Sequence, residues 1–452
     1  MKLVRLSNLL PFFLVFVVFV ENSQAVPAFS RQTGLECMMC HAQNQTKLNG
    51  FGRGFARSAY TMSSQNGSQS LIVGDEIGLG MPMVLNMSLM LKARYDKGYG
   101  DINGKGVIPK TPNGDLIDTN RGVYEIFKTS TLNIGGKVAD NVGALIEFRE
   151  KEGKSILGGK VVSSFELAKA YAGFSIFSTD TYGPFSGAET YNTGLYKPLR
   201  QFENHKLTNA AQATDLASGE ATGGQLFYSG ENLFATLGAY VPKHNNDGID
   251  IGGSMIPFSR IAYEQPIGDT NLIMGGYGIK GVAKMRNTTF EPKLIGYVPQ
   301  ALVEVKKEAY GVDLQVEGYL FSQSSLLTAN AVLKNTTTLD KPYLMNYLTG
   351  SILTSIFGEP EDADMKAYSI EWEVYPISSL GLKLSVLKLD DMGSHTYEPD
   401  KVDVKDKNTY TVGFDYSYRQ NIMLSMEYSM IQPMKKDIED YTALLTVLTI
   451  SL

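Results

Sequence analysis

From residue 84 onward the chain alternates apolar and polar residues with a period of two, and this constrains the fold more than any other feature. Leu85, Met87, Leu89, Leu91, Ala93 and Tyr95 fall on one face, against Asn86, Ser88, Lys92, Arg94 and Asp96 on the other, with only Met90 breaking the polar side. Successive side chains of a strand point to opposite faces, whereas a helix repeats near 3.6, so this is a strand. The pattern recurs in Val142, Ala144, Ile146 and Phe148; in Leu233, Ala235, Leu237, Ala239 and Val241; and in Tyr310, Val312, Leu314 and Val316. It is clearest near the C-terminus. Tyr368, Ile370, Trp372 and Val374 alternate with Ser369, Glu371 and Glu373, and Leu380, Leu382, Leu384 and Val386 return after a turn near Pro376. A second hairpin runs Val412, Phe414, Tyr416 and Tyr418, then Ile422, Leu424, Met426 and Tyr428, and residues 444–452 supply a last strand.

Tight turns such as Ala139-Asp140-Asn141 and Arg419-Gln420-Asn421 join some pairs, and long stretches such as 97–120 and 179–222 join others. Short turns at one end and long loops at the other describe an outer-membrane barrel, whose apolar face meets lipid and whose charged face lines a lumen. A soluble sandwich alternates too, but several segments run to about ten residues with Tyr or Phe at their ends, as tilted membrane strands require. Gly (45) and Tyr (25) are abundant, which suits strands, turns and interfacial aromatics. The expected fold is all-β: a transmembrane antiparallel barrel of about sixteen strands, strand numbers in this class being even, with a small helical segment before it. The C-terminal Leu452 departs from the aromatic residue with which such barrels often end.

The first residues fit export to such a membrane. Lys2 and Arg5 precede an apolar run over residues 9–20, and Ser23, Gln24 and Ala25 offer a small-residue cleavage site, so residues 1–25 read as a signal peptide and the mature chain starts at Val26. The apolar run at 344–357 is short and broken by Asn346, Thr349, Gly350 and Ser351, so no transmembrane helix is expected. Lys and Arg number 41 against 47 Asp and Glu, a net charge of −6 that argues against a nucleic-acid partner. No Pro-rich or charged linker divides the chain beyond residue 80, which suggests a small segment over 26–78 followed by one large barrel over 79–452.

The only two cysteines lie together in Cys37-Met38-Met39-Cys40-His41, so no disulfide framework is on offer. Cys-x-x-Cys-His spaces two thiols to add to the vinyl groups of a haem and puts a histidine next to them to ligate the iron from the proximal side. A half zinc site, a thioredoxin-like redox pair and coincidence compete, but none explains the adjacent histidine in an exported chain. One covalent haem c on Cys37, Cys40 and His41 is therefore expected. Met38 and Met39 sit in the attachment loop and reach the opposite face with difficulty. Met62 is the nearest downstream candidate for the distal iron ligand, with an ordinary apolar contact or an open distal position as alternatives. His205, His244 and His395 fall in expected loops and read as surface histidines. Arg31, Arg53 and Arg57 are candidates to pair with haem propionates, with solvated surface charge as the alternative. Glu147, Glu371, Glu373 and Glu427 read as solvated lining of the pore.

Residues 27–34 (Pro-Ala-Phe-Ser-Arg-Gln-Thr-Gly), the haem motif, Phe51-Gly52-Arg53-Gly54-Phe55 and Tyr60-Thr61-Met62 together resemble the fused monohaem cytochrome-porins of the bacterial outer membrane. The best-known members of that family oxidise ferrous iron at the cell surface. The resemblance departs at Ser30, at Gln43-Asn44-Gln45 and at Ala56-Arg57-Ser58-Ala59, and members of this broad group serve different redox metabolisms. It implies a haem segment folded into the lumen as a plug, and it favours Arg31 and Arg53, each within one of the motifs, as the propionate partners. It also implies one-electron transfer from an extracellular donor such as ferrous iron to a periplasmic cytochrome. A diffusion porin whose haem segment senses or braces, and a conduit running electrons outward to an external acceptor, are the alternatives. No catalytic triad, phosphate loop or dinucleotide motif is present.

Overall fold

The computed structural model describes residues 28–42, 47–62, 70–73, 79–82, 86–99, 122–127, 130–151, 154–187, 189–195, 205, 207–214, 216–244, 251–286, 302–335, 339–340, 364–391, 407–434 and 440–452. The signal-peptide reading, the apolar run at 344–357 and His395 lie outside them.

The alternating segments form a closed antiparallel barrel of sixteen long strands, from Met87–Tyr99 to Tyr441–Ser451. Val123–Ile126, Ile251–Ser254 and Leu339–Asp340 are short pieces that extend the ladder beside longer neighbours. The last strand pairs with the first in the register Thr449↔Lys92 and Val447↔Arg94. Leu452 finishes the seam, donating from its backbone N to Leu89 O (2.8 Å) and accepting from Leu89 N (3.0 Å). Closure leaves no sheet edge, which is what lets strands cross hydrocarbon. A separate hairpin, Ser70–Val73 with Leu79–Pro82, stands outside the barrel sheet.

Tight turns at 140–141, 168–169, 230–232, 268–269, 321–322, 378–379 and 420–421 gather at one end, and most longer connections lie at the other. Along each strand the side-chain period sorts the residues as expected. Leu226, Leu237, Ile261, Val312, Ile370, Val386 and Val412 face outward and are exposed. Their sequence neighbours Gln225, Thr236, Arg260, Asp313, Glu371, Ser385 and Thr411 are buried inside. An exposed apolar belt outside buried polar groups inverts a soluble protein, and is how a membrane barrel meets lipid. Tyr319, Phe321, Tyr416 and Tyr418 are exposed beside the tight turns, where an aromatic girdle belongs.

The lumen is filled. The described residues of 179–222, a stretch expected as one of the long loops, lie inward: a 3-10 turn at Pro184–Ser186 and a helix at Ala210–Ala213 bury Phe185, Leu195, Leu207 and Ala211. The wall opposite is apolar to match, with Tyr240, Phe258 and Tyr277 buried on inward faces. The second filling is the N-terminal segment, three short helices at Ala28–Thr33, Cys37–Cys40 and Gly50–Arg57. It docks at the tight-turn end. Cys37 N donates to Gln420 Oε1 (2.9 Å), Arg57 Nη1 to Gly230 O (3.1 Å), and Lys137 N to Gln32 Oε1 (3.0 Å).

Candidate functional site: a cavity between the N-terminal segment and the barrel wall

The motif helix Cys37–Cys40 is one turn long and cannot stand alone. Asn49 stitches it to the next helix. Its Oδ1 accepts from Gly52 N (3.0 Å) as the cap of Gly50–Arg57, and its Nδ2 donates to Met38 O (3.2 Å) and His41 O (3.1 Å). The approach is close enough that a Cβ on Gly52 would lie 1.9 Å from Cys40 O. A residue larger than glycine does not fit there without moving backbone.

After Gly50–Arg57 the chain adopts left-handed conformations at Ala59 (φ 58°) and Tyr60 (φ 59°). This sharp exit turns the Tyr60 ring back onto Phe29 (stacked, 5.0 Å) and edge-on to Phe55 (5.6 Å). The three rings seat the segment against Val162, Phe227, Phe234 and Ile273 of the wall, and burying each phenylalanine contributes about 1.5–3 kcal/mol. Gly143 makes room, since a Cβ there would stand 1.8 Å from Ala59 O.

Charge locks the same contact. Lys47, 2% exposed, bridges Glu371 (2.9 Å) and Glu373 (2.8 Å) of the wall. Arg53, wholly buried, pairs with Glu264 (2.8 Å) and Glu317 and lies over the Tyr191 ring. Two expectations are thereby corrected. Arg53 is engaged by wall carboxylates instead of standing ready for propionates, while Arg31 donates to Met87 O and Arg57 to backbone carbonyls. Glu371, Glu373 and Glu427 are not solvated pore lining: all three are buried and partnered, the first two by Lys47 of the plug and Glu427 by His205.

Between plug and wall lies a cavity of about 380 Å³, within the roughly 300–1,000 Å³ typical of cofactor and ligand sites. Cys37, Cys40 and His41 all line it, with Phe29, Leu35, Leu48, Phe55 and Leu145 on its apolar side. The donor set fits a covalent haem. The two cysteines are not joined to each other, and burial pushes each thiol above its ordinary pKa. Burial pulls His41 down to about 4, leaving a neutral imidazole, and among the described residues its buried Nδ1 has no hydrogen-bond partner. A neutral ring with an unsatisfied nitrogen is suited to a metal. Among the described residues no group of three or more His, Cys, Asp or Glu side chains is placed to hold a metal ion by itself.

Met62 is 37% exposed and is not among the residues lining the cavity; its carbonyl is fixed by Gln32 Nε2 (2.8 Å). Two other methionines do line it, Met90 and Met423. Each is an apolar residue on an inward face, and for Met90 the break in alternation was the visible signal. His244 contacts Ser178 on the wall (2.7 Å). His205 departs furthest from expectation: it is buried, lines the same cavity as His41, and its Nδ1 is 2.8 Å from Glu427 Oε1. The inward fold of 179–222 puts it there, and nothing in the local sequence announces such a turn. Lys47, Asn49, Asn192 and Gln420 also hold the segment, and of these only Asn49, an N-cap residue before a helical run, carries a local sequence signal for that role.

No family model and no curated relative matches the chain. Solved structures do. The high-pH structure of OprB from Pseudomonas putida superposes with a TM-score of 0.50 at 8% identity, over 81% of this chain and 94% of that one. The chain has a porin fold. The outer membrane channel DcaP of Acinetobacter baumannii (TM-score 0.44, 12% identity, 81% of this chain and 97% of that one) is also similar. So is an anion-selective porin from Comamonas acidovorans (TM-score 0.43, 11% identity, 82% and 99%). At these identities the likeness concerns architecture alone.

Proposed function

We propose that this protein is an outer-membrane monohaem cytochrome-porin that moves single electrons across the membrane, oxidising extracellular ferrous iron and reducing a periplasmic cytochrome. The observation that carries this reading is that both thiols and the neutral imidazole of the attachment motif face one cavity inside a membrane-crossing barrel. Bound haem c supplies a one-electron couple at that place. The chain's own residues do the rest. Cys37 and Cys40 tether, His41 ligates, and Phe29, Phe55 and Tyr60 exclude water.

In the balance, each ferrous ion outside gives up one electron and becomes ferric, and the periplasmic cytochrome accepts that electron. The tight-turn end, where the N-terminal segment docks, is the periplasmic end in barrels of this kind. Exposed Met39 and Phe51 on that segment offer a soluble partner an apolar contact. A diffusion porin is the second reading, favoured by the porin fold; the two lumen fillings weigh against it.

The test is an anaerobic stopped-flow absorbance trace of oxidised, detergent-purified protein mixed with ferrous iron. Rapid appearance of reduced haem bands is expected. A haem that stays oxidised with iron yet is reduced by dithionite would remove ferrous iron as donor, and the absence of any haem c would remove the whole reading.

A further inference from the structure

We infer that His205 is the distal iron ligand, so that the haem is held between two histidines, one on the exported N-terminal segment and one on the inward fold of the barrel. This rests on the haem c reading above. Three observations converge. His205 and His41 line one cavity from different components, His41 from the plug and His205 from the connection between the strands Ala170–Thr179 and Ala221–Ser229. His205 is buried at 8% exposure, where an imidazole needs a polar reason to be. Its Nδ1 lies 2.8 Å from Glu427 Oε1, itself a buried wall residue.

The carboxylate decides the chemistry. A metal-ligating histidine almost always gives its other ring N–H to a carboxylate or carbonyl, which fixes the tautomer and makes the ligating nitrogen more basic. With Nδ1–H donated to Glu427, the lone pair of His205 resides on Nε2, the atom a metal takes. Met90 and Met423 line the cavity as well, but among the described residues neither thioether has a carboxylate hydrogen bond like that of His205. Two imidazoles favour the ferric state relative to an imidazole and a thioether, because a thioether ligand raises the potential. The arrangement also makes the haem a clasp: one ligand from the plug and one from the barrel join the two parts through the iron.

The experiment uses detergent-purified holoprotein. The pyridine haemochrome assay first establishes whether haem c is attached, which tests the underlying reading separately. On haem-loaded protein, ferric electron paramagnetic resonance and near-infrared magnetic circular dichroism are then recorded for wild type, His205→Ala, Met90→Leu, Met423→Leu and Glu427→Gln. Folding of each variant is checked by the mobility shift between unheated and heated samples on a denaturing gel. The expected result is a low-spin bis-imidazole signature in wild type that is unchanged in both methionine variants. In His205→Ala it gives way almost completely to high-spin haem that binds carbon monoxide when reduced, and added imidazole restores the low-spin signal. Glu427→Gln is expected to stay low-spin with shifted g-values. A low-spin signature persisting in folded, haem-loaded His205→Ala would overturn the assignment. So would a thioether charge-transfer band in wild type that disappears in Met90→Leu or Met423→Leu, or a wild type that is high-spin.

Discussion

At the residue scale, function depends on a few contacts with no slack. Gly52 passes under the Cys40 carbonyl where a methyl group would lie 1.9 Å away. Gly52→Ala must separate the two helices, at a cost of about 1–3 kcal/mol or more for overpacking. On the proposed haem reading, the expected outcome is a folded barrel that has lost most of its haem, read as haemochrome per mole of protein. Lys47 is a different case. It is the cation that buried Glu371 and Glu373 share, and Lys47→Met removes an ion pair from each of them out of water. Breaking a buried pair costs about 3–5 kcal/mol. Limited proteolysis is expected to cut the N-terminal segment of Lys47→Met while sparing wild type, and adding Glu371→Gln and Glu373→Gln is expected to restore much of the protection.

At the scale of elements, none of the three N-terminal helices exceeds eight residues, so they owe their stability to docking. Two features hold the register of plug against wall: the Phe29–Phe55–Tyr60 cluster and the gap left by Gly143. Gly143→Val fills that gap against the Ala59 carbonyl. Its strand should still pair, since valine favours a β-strand, while the plug is pushed inward or out. Unchanged strand content by circular dichroism with, on the proposed haem reading, a perturbed Soret band is the expected outcome. Asn49→Ala removes a helix cap and both stitches to the motif helix at once, a loss of about 1–2 kcal/mol, and should lower haem retention less than Gly52→Ala does.

At the scale of the molecule, the barrel holds two insertions, the N-terminal segment and the inward stretch 179–222, and their joint packing sets how much lumen remains. Wild type in planar bilayers is expected to conduct far less than porins of like strand number. Deleting residues 28–62 is expected to open steps of larger conductance without preventing barrel assembly, because the strands close on one another and not on the plug. Equal conductance with and without the segment would favour diffusion through a route beside it.

The sequence by itself determined the barrel. Period-two alternation states which side chains face out, tight turns state which end is which, and both are local properties that backbone geometry converts directly into structure. It likewise singled out Cys37, Cys40 and His41, which the structure brings to one cavity and on whose spacing the proposed haem attachment rests. What only the tertiary structure decided is everything that meets across the lumen: Lys47 with Glu371 and Glu373, Arg53 with Glu264 and Glu317, His205 with Glu427. The partners in these contacts lie more than two hundred residues apart in the chain. A charged residue on an inward face looks the same in sequence whether it meets water or a buried counter-charge. Which of the two it meets is set by the volume that the plug and the inward stretch fill, and that appears only once the sheet has closed around them.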